Sequence, residues 1–304
     1  MVCLTRIFYV SVLFGLLYGC NFTKLAANQT VDVFYAASAS FDKEHDPDFA
    51  KSTVLGNLKV FEGLMEVVPD NQRLLLMASK SFATYVFGFV EDEMEQVERY
   101  GAEYDKLQAR GTDFYTRARE YALRALELRH DGIREQLFGT GDELRKAIND
   151  MDEDDAEALF WFGYAWIGII NLQLDDPAAI ADMEKVTDIQ RRVVQLNERI
   201  YFGSPHLVLG VAAAAVPPAL GGNPDEALFH FQKAIELTEG KFLMTNVMMA
   251  KYYHAIGRPD RDAYVAALQS VVATEPGILP DQRLANELAR RKASRWLENV
   301  DSQF

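Results

Sequence analysis

Apolar residues recur at intervals of three and four, rather than two, along almost the whole of this 304-residue chain. That spacing marks one face of an α-helix and argues against strands, so the chain reads as all-α. The pattern is punctuated. Phe61 and Leu64 lead into Pro69-Asp70-Asn71, after which Leu75, Ala78, Ser79 and Phe82 resume the helical spacing. A proline stops a helix because it has no N–H to give and its ring collides with the preceding turn. A bulky and a small residue three or four apart on the next helix let a neighbouring helix approach closely.

The joint recurs. Leu159, Phe162, Gly163 and Trp166 follow the acidic run Asp152-Glu153-Asp154-Asp155, which suits the positive end of a helix dipole. Ala227, Phe231 and Ala234 follow the turn Gly221-Gly222-Asn223-Pro224-Asp225, and Tyr264, Leu268 and Val271 lead to Pro276. These joints resemble those of tetratricopeptide repeats and imply an α-α superhelix. The array is decorated, because stretches such as Gln72 to about Gln108 exceed what a repeat of roughly 34 residues allows. Gly111-Thr112-Asp113 is expected to break the helical run there, and Ala118, Ala122 and Ala125 to mark another close-packed helix. Asp175-Asp176-Pro177 and Ser204-Pro205 each place a capping residue before a proline, as at helix starts. The helix beginning near Phe242 is expected to end at Gly257-Arg258-Pro259-Asp260. A closing helix runs from Asp281 to about Asn299, with Leu284 and Leu288 continued at the same spacing by Arg291 and Arg295, so its inward face turns basic as the array ends.

The N-terminus carries different information. Arg6, an apolar stretch from Ile7 to Leu17 and then Gly19-Cys20 form a signal-like segment too short to span a bilayer. Its end resembles the lipobox of bacterial lipoproteins, in which the cysteine is acylated and becomes the mature N-terminus. The expected organisation is a signal peptide over 1–19, a lipidated tether or first helix over 20–45, and one helical-repeat domain over 46–304. Cys3 would leave with the signal, so Cys20 would have no partner for an internal disulfide, and lipidation removes the free thiol. A formal charge of −14 makes the chain a poor candidate for binding nucleic acid, or anionic lipid through its folded body. Membrane contact is expected through the lipid.

Motifs for chemistry are missing. No His-Glu-x-x-His, cysteine pair, nucleophile elbow or phosphate-binding loop is present. The alternation of Asp150, Asp152 and Asp154 lacks the glycine and the closing glutamate of a calcium loop. Neither enzyme activity, cofactor nor metal is expected. Aromatic and small residues are enriched instead. Phe160, Trp161, Tyr164 and Trp166 crowd one short helix, so they must face more than one side of it, and the slim stretch Gly210 to Ala215 either packs tightly or leaves space beside itself.

A family resemblance rests on several of these segments together. They are Pro217-Pro218-Ala219-Leu220-Gly221-Gly222-Asn223-Pro224, His230-Phe231, Lys233 to Leu237, Gly240-Lys241-Phe242-Leu243-Met244 and Ala250-Lys251-Tyr252-Tyr253. With them go Arg283-Leu284, Asn286, Ala289, Arg291-Lys292-Ala293, Trp296-Leu297 and, earlier, Tyr85-Val86-Phe87-Gly88-Phe89. The chain resembles the T component of tripartite ATP-independent periplasmic (TRAP) transporters, the TatT family, over nearly all of its mature length. The resemblance implies a lipid-anchored periplasmic protein with a tetratricopeptide-like fold, a solute-binding protein as partner, homotrimers, and a cleft for a small hydrophobic ligand. Cavity residues expected within the family-like segments are Trp161, Tyr164, Gly222, Lys241, Phe242 and Tyr253. A general scaffold lipoprotein of the envelope is the competing reading. An enzyme with a dispersed site would instead show a buried cluster of polar groups with perturbed pKa values.

Overall fold

The computed structural model describes residues 22–304 apart from 216, 217 and 221. The segment expected to be a signal peptide, Cys20 and part of the Pro217–Gly221 run therefore lie outside the described residues. The chain is 80% helical, with no strand among the described residues. Helices α1 (22–37), α2 (Ala39–Asp42), α3 (Pro47–Met65) and α4 (Gln72–Tyr85) lead into a π-helical turn, Val86–Val90, and α5 (Glu91–Met94). Then come α6 (Ala102–Glu127), α7 (Ile133–Phe138), α8 (Gly141–Asn149), α9 (Ala156–Leu172), α10 (Pro177–Ala181), α11 (Met183–Asn197), α12 (Ser204–Ala214) and α13 (Pro224–Leu237). α14 (Met244–Met248) continues as a second π-helical segment, Met249–Gly257, and α15 (Arg261–Ala273) and α16 (Arg283–Glu298) close the array.

Helix starts follow local chemistry. The side chains of Asp46, Asn71, Asp176, Asn223 and Asp260 accept hydrogen bonds from first-turn N–H groups of α3, α4, α10, α13 and α15. Pro47, Pro177 and Pro224 sit where a missing N–H costs nothing. Ser204 is different. Its hydroxyl donates backwards to the Tyr201 carbonyl at 2.6 Å, and the capping position belongs to Gly203, whose φ of +76° favours glycine. The acidic run at 152–155 is a cap as well: Asp152 accepts from the Asp154 N–H, and Arg129 bridges Asp152 and Asp155.

The bulky and small positions pack as their spacing requires. Leu75, Ala78, Ser79 and Phe82 are buried, and the Ser79 hydroxyl donates to the Ala118 carbonyl of α6 at 2.8 Å. α6 lies between α4 and α9, α9 packs on α11, α11 on α12, and α12 on α13. At Gly163 a Cβ would come within 2.8 Å of Ile189 on α11. Two expectations fail for packing reasons. The stretch from Gln72 is not one helix to Gln108, since it passes through the π turn and breaks over 95–101. Gly111, expected as a breaker, lies inside α6, where a Cβ would press to 2.8 Å of Leu172 and 3.2 Å of Val86. It is a contact glycine, not a hinge. The segment Gln72–Met94 is long and apolar enough to cross a membrane by composition, but 67% of its apolar window is buried within the protein.

α16 does more than end the array. It packs on α14 and α15 and also touches α2 and α3. Its basic face reaches the acidic α3–α5 region: Arg291 forms a paired contact with Asp48 at 2.9 and 3.1 Å, and Lys292 and Arg295 bond Asp92 and Glu95. The superhelix thus curls back on itself. Two apolar cores result, one over the N-terminal two thirds and one around α13 to α16, meeting at α12 and α16.

Candidate functional site

Between the two cores lies a partly open cavity of about 120 Å³. Its walls come from most turns of the superhelix: Tyr85, Phe87 and Phe89 from α4 and the π turn, Tyr115 from α6, Tyr164 from α9, Leu207 and Val208 from α12, Tyr252 from the second π segment, and Leu284 and Leu288 from α16. A π turn carries i→i+5 bonds and recurs at functional sites, and here both π segments supply wall residues. Two glycines admit the close approaches. At Gly88 a Cβ would meet Leu288 at 3.1 Å, and at Gly168 it would stand 2.5–2.7 Å from three carbons of the Tyr115 ring, so the ring rests on the bare backbone of α9.

One end of this largely aromatic space is polar. Tyr115 donates to Glu91 Oε1 at 2.5 Å. Burial raises the Glu91 carboxyl to about 7, against the opposing pull of the Tyr115 hydrogen bond and of Lys292 and Lys251. Burial also pushes the Tyr115 and Tyr164 hydroxyls well up, with Glu91 adding to both. Behind Glu91, outside the wall, Glu95 accepts from Lys292 at 3.0 Å, Lys251 at 3.3 Å, Arg295 at 2.6 Å and the Trp296 indole at 3.0 Å. Burial alone would raise Glu95, but the Lys292 and Lys251 charges overcome it and hold the carboxyl at about 2. Lys251 lies 5.4 Å over the Tyr252 ring and 5.2 Å over Trp296. At the other end Asp42 bonds Lys80 at 2.6 Å.

Of the residues expected to form a cavity, Tyr164 and Phe242 line it. Trp161 stands behind the wall, 5.5 Å from Tyr164 and 5.1 Å from Tyr201, and faces a separate outer groove with Lys80 and Glu157. Tyr253 is buried in the second core, while its neighbour Tyr252 reaches the cavity. Lys241 points its ammonium at Glu239; its carbonyl accepts from Asn286, which also binds the Leu243 N–H and the Pro276 carbonyl and so fixes Phe242 in place. Gly222 sits in the turn before α13, away from the cavity wall. Sequence reasoning missed Glu91, Tyr115, Tyr201 and Tyr252. Only Tyr252 carried a signal, as the neighbour of Tyr253 in the family-like segment Ala250-Lys251-Tyr252-Tyr253. Tyr201 and Phe202 take left-handed backbone conformations, φ +42° and +61°, which turn Tyr201 onto the cavity wall and stack Phe202 on Phe242 at 5.8 Å. Such conformations are held only where surrounding packing determines them.

A second polar feature lies between α12 and α13. His206 and His230, too far apart in sequence to suggest a helix-borne metal pair, meet through their Nδ1 atoms at 2.8 Å, and His206 Nε2 lies 3.3 Å from Glu198. Burial first, then the His206 charge, lowers His230 to about 4. No group of three or more His, Cys, Asp or Glu among the described residues is arranged to hold a metal.

Compared with known families, residues 43–304 match the model of the TRAP transporter T-component (TAtT). No curated protein matches the chain.

Proposed function

The chain belongs to the TRAP transporter T-component family, and we propose that it works without catalysis, binding the transporter's substrate-binding component and receiving a small, mainly apolar ligand in its central cavity. The observation that carries the reading is the cavity: a space between the two cores with aromatic and aliphatic walls and a few polar groups, the character of small-molecule sites. The walls are not purely apolar, because Glu91 and its tyrosines form a buried polar group with shifted pKa values. Recognition accounts for this group better than catalysis does. Ser204, the one serine on the wall, spends its hydroxyl proton on the Tyr201 carbonyl, and Glu91 is bonded to a tyrosine rather than to a nucleophile awaiting activation.

The resemblance of the N-terminus to a lipobox supports acylation of Cys20 and placement at the periplasmic face of the envelope. A tether of that kind raises the effective concentration of a partner without requiring tight intrinsic affinity. The test is recovery of the full chain from host membranes in mild detergent, followed by native mass spectrometry and by identification of co-purified proteins. A substrate-binding protein and a bound small molecule are expected, with the molecule lost from a Val208→Trp variant that fills the cavity. Recovery of neither, with the anchor intact, refutes the proposal. Homotrimers, implied by the resemblance, would show in the same native spectra.

A further inference from the structure

The cavity wall carries two charged side chains and both are acids: Asp42, which is neutralised by Lys80 at 2.6 Å, and Glu91. No lysine, arginine or histidine lines the space among the described residues. Glu91 accepts at Oε1 from Tyr115, the one donor seen on its carboxyl among the described residues. The groups facing Glu91 are Tyr115 from α6, Tyr164 from α9, Lys251 and Tyr252 from the second π segment, Lys292 from α16 and Glu95 beyond its own helix. Both lysines are bonded to Glu95, and neither reaches Glu91 as a hydrogen-bond donor. They temper the cost of burying the carboxylate without bonding to it.

Three kinds of apolar ligand can be compared at this site. One with a carboxylate or phosphate head would find no cation on the wall and an acid of its own sign, a juxtaposition that raises one of the two pKa values steeply. A ligand with no polar atom would displace water from the Glu91 carboxyl and replace none of its hydrogen bonds. A protonated amine would supply both a hydrogen bond and a counter-charge, in a space whose aromatic lining can also attract a cation. Resting on the reading that the cavity receives a small apolar molecule, we propose that this molecule carries one protonated amine, held by Glu91 as its counter-ion within the ring of Tyr115, Tyr164 and Tyr252.

A pH signature follows. The amine needs Glu91 ionised, and in the empty cavity that carboxyl is raised to about 7. Binding therefore expels a proton below that point, and affinity should fall about tenfold between pH 8 and pH 6. The experiment titrates full-length protein, stripped of endogenous ligand, with 4-phenylbutylamine, 4-phenylbutan-1-ol and 4-phenylbutyrate by calorimetry at both pH values. Expected is an amine at least about tenfold tighter than the alcohol at pH 8, with the acid weakest. Glu91→Gln, which retains an acceptor for Tyr115, should erase the preference and its pH dependence while still binding the alcohol. An amine no tighter than the alcohol, a preference that survives in Glu91→Gln, or an acid that binds best overturns the amine proposal and leaves the cavity reading intact. Binding of none of the three overturns the cavity reading itself, and the amine proposal with it.

Discussion

Gly168→Ala is the sharpest probe of how the cavity is built. In an ordinary helix interior, alanine is favoured over glycine by about 0.8–1.0 kcal/mol, so a naive expectation is stabilisation. Here the new Cβ would stand 2.5, 2.6 and 2.7 Å from three carbons of the Tyr115 ring, a flat face that cannot yield as a flexible chain end would. The ring must move or α9 must part from α6. Overpacking of this kind costs about 1–3 kcal/mol, and displacing the Tyr115 hydroxyl from Glu91 removes a bond to a charged or chargeable group worth about 1.5–3 kcal/mol. After the helix gain is set against these, the net loss should be about 1.5–5 kcal/mol. Denaturant unfolding followed by circular dichroism measures it. Repeating the substitution on a Tyr115→Ala background isolates the contact, because with the ring gone the added methyl should be neutral or stabilising. If Gly168→Ala is as stable as the parent, or if the loss persists without the ring, the account of the α6–α9 contact is wrong.

Other substitutions test separate links. Gly56 and Gly63 lie on the exposed face of α3 with nothing within 4 Å of a built Cβ, so alanine at either should stabilise by about 0.5–1 kcal/mol, measured in the same denaturant assay. Glu95→Gln removes one charge partner from Lys251, Lys292 and Arg295, of which the last two keep Asp92, and should cost about 1–3 kcal/mol, seen as a fall in thermal midpoint; a shift of a degree or less would mean the cluster is ornamental. His230 has a folded pKa near 4 against an ordinary 6.5, so the unfolded chain takes up its proton first as pH falls. Its contribution should be complete above pH 6.5 and disappear between 6.5 and 4, and His230→Phe should flatten the stability profile across that window. An unchanged profile would remove the histidine pair as a source of acid sensitivity.

Much of the fold could be read from the sequence because its causes are local. Helical spacing, Asn71 and Asp176 as caps, and the bulky–small pairs at Phe82 and Ala78 or Trp166 and Gly163 each act within one or two turns. Ser204 misled because serine before proline suits a cap, whereas the left-handed bend at 201–203 had already placed glycine there. Gly111 misled for the opposite reason: a glycine that breaks a helix and one that admits a neighbour are identical until the neighbour is known, and here it is Leu172, sixty residues away in the chain by way of another helix. The cavity wall was half legible. The aromatic crowding at 160–166 pointed to it, and Tyr164 lines it. Glu91 was hidden in a chain with 45 acidic residues, where no carboxylate stands out until burial and Tyr115 single it out.

An apolar space of this size ought to collapse, since closing it would recover dispersion contacts along every wall. Each wall helix is committed elsewhere. The outer aromatics of α9, Phe162 and Trp166, are packed against each other and Phe138. α12 lays Gly210 on the Phe231 ring and Ala214 against Gly257, leaving Leu207 and Val208 for the cavity. α16 is pinned at one end by the three hydrogen bonds of Asn286 and at the other by Lys292 and Arg295 in the Asp92–Glu95 cluster. Moving any one wall inward would break a packed core or leave buried charges unpaired, and the second of these costs more than the lost dispersion of a partly empty space. The charged seam between α16 and the N-terminal helices therefore acts as a spacer, and a ligand of the proposed kind would meet walls already in position, so that little of its binding energy would go to ordering them.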